Sequence, residues 1–133
     1  MQPEHLALLP SDKFDTARAA AITGRERSSV EPIVPVLLEW LQDMNWPVAQ
    51  VLSPFLSSIG RQLAPHIRHI LATDDDIWKH NVIAYVVAES SELAEDLRLE
   101  LGRIATIPTP GEVAENVSEL SKNVLGRLNG TDN

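Results

Sequence analysis

Cysteine is absent from the 133-residue chain. This excludes disulfide bonds, thiolate zinc sites and a cysteine nucleophile, and it is typical of proteins from a reducing compartment. Long apolar runs are also missing, because the longest, Val82 to Ala88, is far too short to span a bilayer. The opening residues, MQPEHLALLPSD, lack the basic region of a signal peptide. These absences predict a cytoplasmic protein with no membrane association.

Motifs that carry chemistry are scarce as well. The six glycines are scattered, so no glycine-rich phosphate loop occurs, and no G-x-S-x-G nucleophile motif is present. Carboxylates form a run of three only at Asp74-Asp75-Asp76, where helix capping and solvation account for them. The sequence therefore predicts a protein that is not an enzyme and that binds no cofactor.

The histidines are the one group of residues whose spacing suggests a metal-binding site. His66 and His69 lie three residues apart on one predicted helix, and Asp76 and His80 lie four apart on the next. Imidazoles and carboxylates are metal ligands. No recognised metal signature is matched, and histidines at helical spacing are usually surface residues. We predict no metal site, and keep a metal-binding protein or an enzyme using His66, His69 and His80 as an alternative.

Negative charge is in excess, with a formal net charge of −8. Residues 74–119 contain eleven acids against Lys79, Arg98 and Arg103, which gives this segment a net −8 and leaves the rest of the chain neutral. Such a field repels phosphate backbones and speeds association with basic proteins. The charge map excludes nucleic acid as a direct ligand and favours a partner with a basic surface. A face that is merely solvated is the alternative.

Apolar spacing predicts helices throughout. Residues recur at i, i+3, i+4 and i+7, and no run alternates as a strand would. The spacing predicts about seven helices. Their inward stripes are Phe14, Ala17 and Ala21; Ile33, Leu37, Trp40 and Leu41; Val48, Val51, Leu52, Phe55, Leu56 and Ile59; Leu63, Ile67, Ile70 and Leu71; Trp78, Val82, Tyr85 and Val86; Leu93, Leu97, Leu101, Ile104 and Ala105; and Val113, Val117, Leu120, Val124 and Leu128.

Capping residues mark where these helices begin and end. TPGE at 109–112 predicts a capping box, with Thr109 as the cap, Pro110 in the first helical position and Glu112 closing the box. The other predicted caps are Ser28, Asn45, Asp74 or Asp75, and Ser91, and the predicted stops are Gly24 and Gly60.

An internal repeat organises the helices. The segment from Pro35 aligns with the segment from Pro65, with Leu37 on Ile67 and Trp40 on Ile70. Helical hairpins that recur about every 30 residues resemble HEAT-type repeats. We therefore predict one all-α domain over residues 1–133, built from about seven helices as antiparallel hairpins stacked in a short HEAT-like α-solenoid. Residues 1–12 and 129–133 are predicted to be poorly ordered.

Four motifs carry a narrower resemblance. LLPSDKFD (8–15), LLEWLQDMNWPVA (37–49), DDDIWKH (74–80) and IPTPGE (107–112) are similar to those of an uncharacterised bacterial family of small helical repeat proteins. The W-L-Q-D-M-N-W-P-V motif with its two tryptophans is the most specific of them. This resemblance implies a helical repeat fold and no established activity.

The tryptophans and the acidic run supply the functional hypothesis. Trp40 lies on an apolar stripe and is predicted to be core, whereas Trp46 and Trp78 either pack on a neighbouring repeat or contact a partner. We predict a non-enzymatic protein-interaction module, and consider an acidic immunity or antitoxin protein that binds a basic toxin domain. The alternative is a self-associating scaffold. The predicted partner-binding residues are Trp46, Asp74, Asp75, Asp76, Trp78, Lys79, His80, Glu92, Glu95 and Asp96.

Overall fold

The fold is all-α, as predicted. A computed structural model describes residues 3–130, of which 77% are helical, and no strand occurs in that range. Its α-helices are α1 (Pro3–Leu6), α2 (Thr16–Thr23), α3 (Arg27–Val30), α4 (Val34–Glu39), α5 (Pro47–Ile59), α6 (Ala64–Leu71), α7 (Asp76–Tyr85), α8 (Ser91–Asp96), α9 (Arg98–Thr106), α10 (Pro110–Ala114) and α11 (Val117–Leu128). Within residues 3–130, no helix has the length and apolarity needed to cross a membrane.

The helices are more broken than apolar spacing predicts. Short 3-10 turns at Glu31–Ile33, Trp40–Gln42, Gly60–Leu63 and Val87–Glu89 flank or join them. Leu97 separates α8 from α9, and Asn116, in the left-handed region at φ 61°, separates α10 from α11. Asparagine tolerates that conformation. Periodicity misses a 3-10 turn because residues i and i+3 share a face in both kinds of helix. The predicted disorder falls partly on residues 1–2 and 131–133, outside the described residues.

Several helix ends match their predicted caps. Thr109 and Glu112 form the capping box with Pro110 in the first turn, and the Asp75 carboxylate accepts from the Trp78 amide at the start of α7. Gly60 ends α5 at φ 76°, a conformation that costs glycine little. Three predicted caps are wrong. Ser90 caps α8 in place of Ser91, Trp46 precedes α5 in place of Asn45, and Glu26 precedes α3 in place of Ser28.

One apolar core runs through the described helices, and most of the predicted stripes contribute to it. Three of the stripes contain residues that are wrongly predicted to face inward. Ala17 and Ala21 are exposed, and Tyr85 at the end of α7 is 46% exposed. Phe14 is 67% exposed because it precedes the Asp15 cap of α2, whose buried residues are instead Ala19 and Ile22. Val113 is exposed, and its neighbour Glu112 is fully buried. The carboxylate displaces the apolar side chain from the interior because it meets two cations there, as described below.

Helix packing brings the middle and last parts of the chain together. α7 packs on α6, α5 and α11, while α9 packs on α11 and α8 packs on the Gly60–Leu63 turn. At the other end, α2 packs on α5. Gly111, in the first turn of α10, lies so close to the Asp76 carboxylate of α7 that a Cβ on Gly111 would collide with it. This packing leaves a cleft that α6, α7, α9 and α10 surround.

Candidate functional site

The acidic turn before α7 divides into exposed and engaged carboxylates. Asp74 is exposed and has no ion pair among residues 3–130. Asp75 is exposed too, and its side chain accepts a hydrogen bond of 3.1 Å from the backbone N–H of Trp78. The Asp76 carboxylate turns inward, where its Oδ1 lies 2.9 Å from Lys79 Nζ. Only Asp74 and Asp75 therefore remain available to an approaching cation.

Lys79 lies in the interior, whereas the interaction hypothesis placed it on the surface beside Trp78. It is only 2% exposed, and its Nζ donates a hydrogen bond of 3.0 Å to Glu112 Oε2. The Glu112 side chain is wholly inaccessible. A buried ammonium must be paired, because an unpaired charge in the interior is strongly unfavourable. Asp76 and Glu112 provide that pairing.

Arg103 completes this buried cluster. Its guanidinium binds Glu112 in a bidentate fork, with distances of 2.8 Å to Oε1 and 2.7 Å to Oε2. The backbone N–H of Thr109 donates to the same carboxylate at 2.8 Å. The hydrogen bonds from Arg103, followed by those from Thr109 and Lys79, outweigh burial and lower the pKa of Glu112 to about 2. Burial acts to lower the pKa of Lys79, but its hydrogen bonds to Asp76 and Glu112 raise the pKa overall.

The buried charge cluster is better suited to stabilising the fold than to catalysing a reaction. A lysine held protonated is not a nucleophile, and a carboxylate with such a low pKa is a weak general base. The two cations and two carboxylates of the cluster cancel in formal charge. They connect α7 to α9 and α10, so the cluster holds the middle of the chain against its last helices.

The tryptophans are all half-buried. Trp78 packs against the core, and its indole N–H donates to the Leu38 carbonyl oxygen at 2.9 Å. Trp40 and Trp46 meet edge to face, with ring centroids 5.8 Å apart and an interplanar angle of 76°. Trp40, predicted to be core, lies at the margin of the core and not inside it. Each of the three rings lines a surface depression.

The three histidines of the predicted group do not meet at one site. His66 and His69 line one depression with Trp78, whereas His80 Nδ1 lies 3.0 Å from the Glu115 carbonyl oxygen on the far side of α7. Among residues 3–130, no three His, Cys, Asp or Glu side chains are arranged to hold a metal ion.

The acidic residues of α8 differ in whether they form ion pairs. Glu95 pairs with Arg98 at 2.8 Å, and Asp96 lies 3.6 Å from Arg61. Glu92 is exposed and has no ion pair in the described part of the chain. Across residues 74–119, five acids form ion pairs, two of them with arginines outside the segment. The acids without one are Asp74, Asp75, Glu89, Glu92, Glu115 and Glu119.

Four depressions adjoin one another around α4, α6 and α9, and each shares a lining residue with the next. The Trp40–Trp46 depression shares Glu39 with the depression of His69 and Trp78, which in turn shares His66 with a third. The third shares Arg68 with the large cleft, whose volume is about 910 Å³. We call this row of depressions the groove face. Six of the ten predicted partner-binding residues line it: Trp46, Asp74, Asp76, Trp78, Lys79 and Asp96.

Asp75, His80, Glu92 and Glu95 do not line these four depressions. Conversely, Glu39, Arg68 and Leu99 line the groove face but are not among the residues predicted from the sequence. Leu99 had a usable signal, because it lies off the apolar stripe of its helix and is 83% exposed. Glu39 and Arg68 had none, since each is an ordinary surface charge on an amphipathic helix.

The fold and the groove face define an all-α protein with an internal cluster of paired charges and four adjoining surface depressions. Residues 8–125 match the family described as a domain of unknown function, DUF5071. The chain belongs to that family. No curated protein matches the chain.

Proposed function

We propose that the protein is a non-enzymatic interaction module, and that its groove face binds an extended segment of another protein with a basic surface. The single observation that carries this proposal is that the four depressions adjoin one another, with Glu39, His66 and Arg68 as shared lining residues. Isolated pockets suit small ligands, whereas adjoining depressions can receive successive side chains of one peptide segment.

The charges of the groove face support a basic partner. Glu31, Glu39 and Asp74 line it without ion pairs in the described structure, whereas Arg27 is the corresponding unpaired cation. Lys79, Arg103, Arg68 and Arg61 each have a carboxylate partner already. The unsatisfied charge is therefore mainly negative, which favours cationic groups on the partner.

Apolar anchors are present beside those charges. Leu99 projects at the mouth of the large cleft, with Leu71 and Ile104 deeper in its lining. Half-buried Trp46 and Trp78 supply aromatic surface further along the groove face. Binding energy in protein interfaces concentrates on such aromatic and aliphatic anchors, and surrounding charges steer the encounter.

We infer that the helices are arranged as antiparallel hairpins stacked as a short HEAT-like solenoid. The hairpins are α4–α5, α6–α7 and α8–α11. The packing of α8 on the Gly60–Leu63 turn, and of α7 on both α5 and α11, supports stacking between successive hairpins. In such a stack the first helices of the hairpins form one continuous surface.

The specific function that we propose is that of an immunity or antitoxin protein, which binds a basic toxin domain.

Matched variants test the interaction. We expect Asp74→Lys to weaken partner binding about tenfold, because the approaching cation would meet a like charge. Glu89→Lys makes the same charge change at an exposed acid that does not line the groove face, and we expect it to bind like the parent. The proteins are immobilised, exposed to native-host lysate or the adjacent gene's product, and compared by mass spectrometry and titration.

Three further observations bear on the result. Salt should weaken the parent complex, because exposed charges are screened over about 8 Å at physiological ionic strength. Circular dichroism should give the same helical spectrum for all variants. Equal affinity of parent, Asp74→Lys and Glu89→Lys for the same partner would refute the groove face as its binding site.

A further inference from the structure

The Trp40–Trp46 depression is a small, open site with a volume of about 270 Å³. Its walls are the two tryptophans, and the N-terminal segment closes one side through Leu9 and the buried Pro10. Sites for drug-sized ligands occupy about 300–1,000 Å³, so this depression suits a single small group.

Fixed hydrogen bonds hold the walls in place. Arg18 donates to the Leu9 carbonyl oxygen at 3.2 Å, and the Val48 amide at the start of α5 donates to the Lys13 carbonyl oxygen at 3.2 Å. Trp46 immediately precedes Pro47, which begins α5 with a fixed φ. The depression is therefore formed before any ligand arrives.

The two indoles form a corner. Their rings are nearly perpendicular at 76°, with centroids 5.8 Å apart. The two ring planes therefore meet at a corner, and both rings line the depression. A cation within about 6 Å of an indole centroid is attracted by the ring quadrupole, and tryptophan gives the strongest such attraction.

Glu39 adds a formal charge to this corner. It is exposed and has no ion pair among residues 3–130. None of the residues that line this depression is lysine, arginine or histidine, although His66 and His69 line the adjoining depression that Glu39 also borders. The corner therefore combines two aromatic rings, a carboxylate without an ion pair in the described structure, and apolar contacts from Leu9, Pro10 and Val36.

We propose that this corner binds an organic cation of the quaternary ammonium class. Methyl groups around the charge match the apolar lining, whereas a primary ammonium needs several hydrogen-bond acceptors and Glu39 and Gln42 are the polar side chains of the lining. Paired aromatic faces are the usual means of recognising such groups. The proposal concerns a ligand site at one end of the groove face and does not depend on the groove face binding a protein.

Ligand-observed proton NMR tests this site with tetramethylammonium and choline. We expect saturable upfield shifts of the methyl protons, because ring currents act on groups above an indole face. The neutral isostere 3,3-dimethylbutan-1-ol should bind at least tenfold more weakly than choline. Equal binding of choline and the isostere would overturn the proposal, and so would the absence of any saturable choline shift.

Matched variants locate the signal. Trp46→Leu should weaken choline binding at least tenfold, whereas Tyr85→Leu removes an exposed aromatic ring outside the depression and should leave it unchanged. Glu39→Gln should weaken binding severalfold, and the exposed Glu89→Gln should not. Full binding by folded Trp46→Leu overturns the assignment. If that variant does not fold, full binding by Glu39→Gln, a surface change, overturns it instead.

A second arm identifies the source of the cation. A short peptide containing trimethyllysine is titrated beside free choline and beside the same peptide with unmodified lysine. Tighter binding of the trimethylated peptide than of choline supports a protein-borne headgroup, and equal binding supports a free one. Preference for the unmodified lysine peptide would overturn the quaternary ammonium assignment.

Discussion

Replacing Glu112 with glutamine perturbs the centre of the buried charge cluster. Glu112→Gln keeps nearly the same shape and removes the charge that pairs with Lys79 and Arg103. The pKa of Glu112 falls from 4.5 to about 2 in the folded protein, and each unit corresponds to about 1.4 kcal/mol. We therefore expect the free energy of unfolding to fall by about 3 kcal/mol at pH 7. Removing one partner of a buried ion pair commonly costs about 3–5 kcal/mol, which agrees.

The pH dependence fixes the sign of this effect. The folded-state pKa of Glu112 lies below its unfolded value, so the ionised carboxylate stabilises the protein fully above about pH 4.5. That stabilisation is lost as the pH falls from about 4.5 towards about 2, where the parent carboxyl is protonated too. The difference between parent and Glu112→Gln should therefore shrink to less than half at pH 3.

Urea unfolding followed by circular dichroism at pH 7 and pH 3 provides the measurement. Glu119→Gln, an exposed acid on α11 without an ion pair in the described residues, is the matched control and should stay within about 0.5 kcal/mol of the parent. Adding Lys79→Met to Glu112→Gln should destabilise further, because Lys79 still pairs with Asp76 at 2.9 Å in the single variant and its removal leaves that carboxylate without a cation. A Glu112→Gln protein as stable as the parent at pH 7 would refute the reasoning.

Two further predictions concern local packing. Gly111→Ala should destabilise by about 1–3 kcal/mol, because its Cβ would collide with the Asp76 carboxylate, whereas Gly102→Ala should stabilise by about 0.5–1 kcal/mol, because nothing lies within 4 Å of the added Cβ and alanine is the better helix former. Thermal melts that show equal shifts for both variants would contradict this. Trp78→Phe should lower the free energy of unfolding by about 1–3 kcal/mol, because the Leu38 carbonyl oxygen would lose its indole donor. A stability unchanged in urea titration would show that water replaces that bond.

The helical character of this protein was readable from the amino-acid sequence because it depends on contacts between near neighbours. Apolar residues at helical spacing predict the helices, and Thr109 with Glu112 predicts a capping box that the structure contains. The structure selects Asp75 from the two predicted alternatives, Asp74 and Asp75, and its capping hydrogen bond spans three residues. Errors by one residue, such as Ser91 for Ser90, arise because adjacent serines are equally able to cap.

Tertiary structure determined which charged side chains form ion pairs. Glu112 and Lys79 lie 33 residues apart, and Arg68 and Glu100 lie 32 apart, so no local pattern indicates that they pair. The same long-range pairing buries Glu112 while its neighbour Val113 is exposed, which reverses the order that hydrophobicity alone predicts.

The groove face could not be predicted from the sequence either, because it depends on how α4, α6 and α9 lie beside one another. Composition established that acids outnumber bases by eight. Only the packing of the helices determined which of those acids are consumed by internal ion pairs and which, such as Asp74, remain at the surface. A formal charge is local to its residue, whereas its neutralisation depends on residues that the chain brings together only on folding.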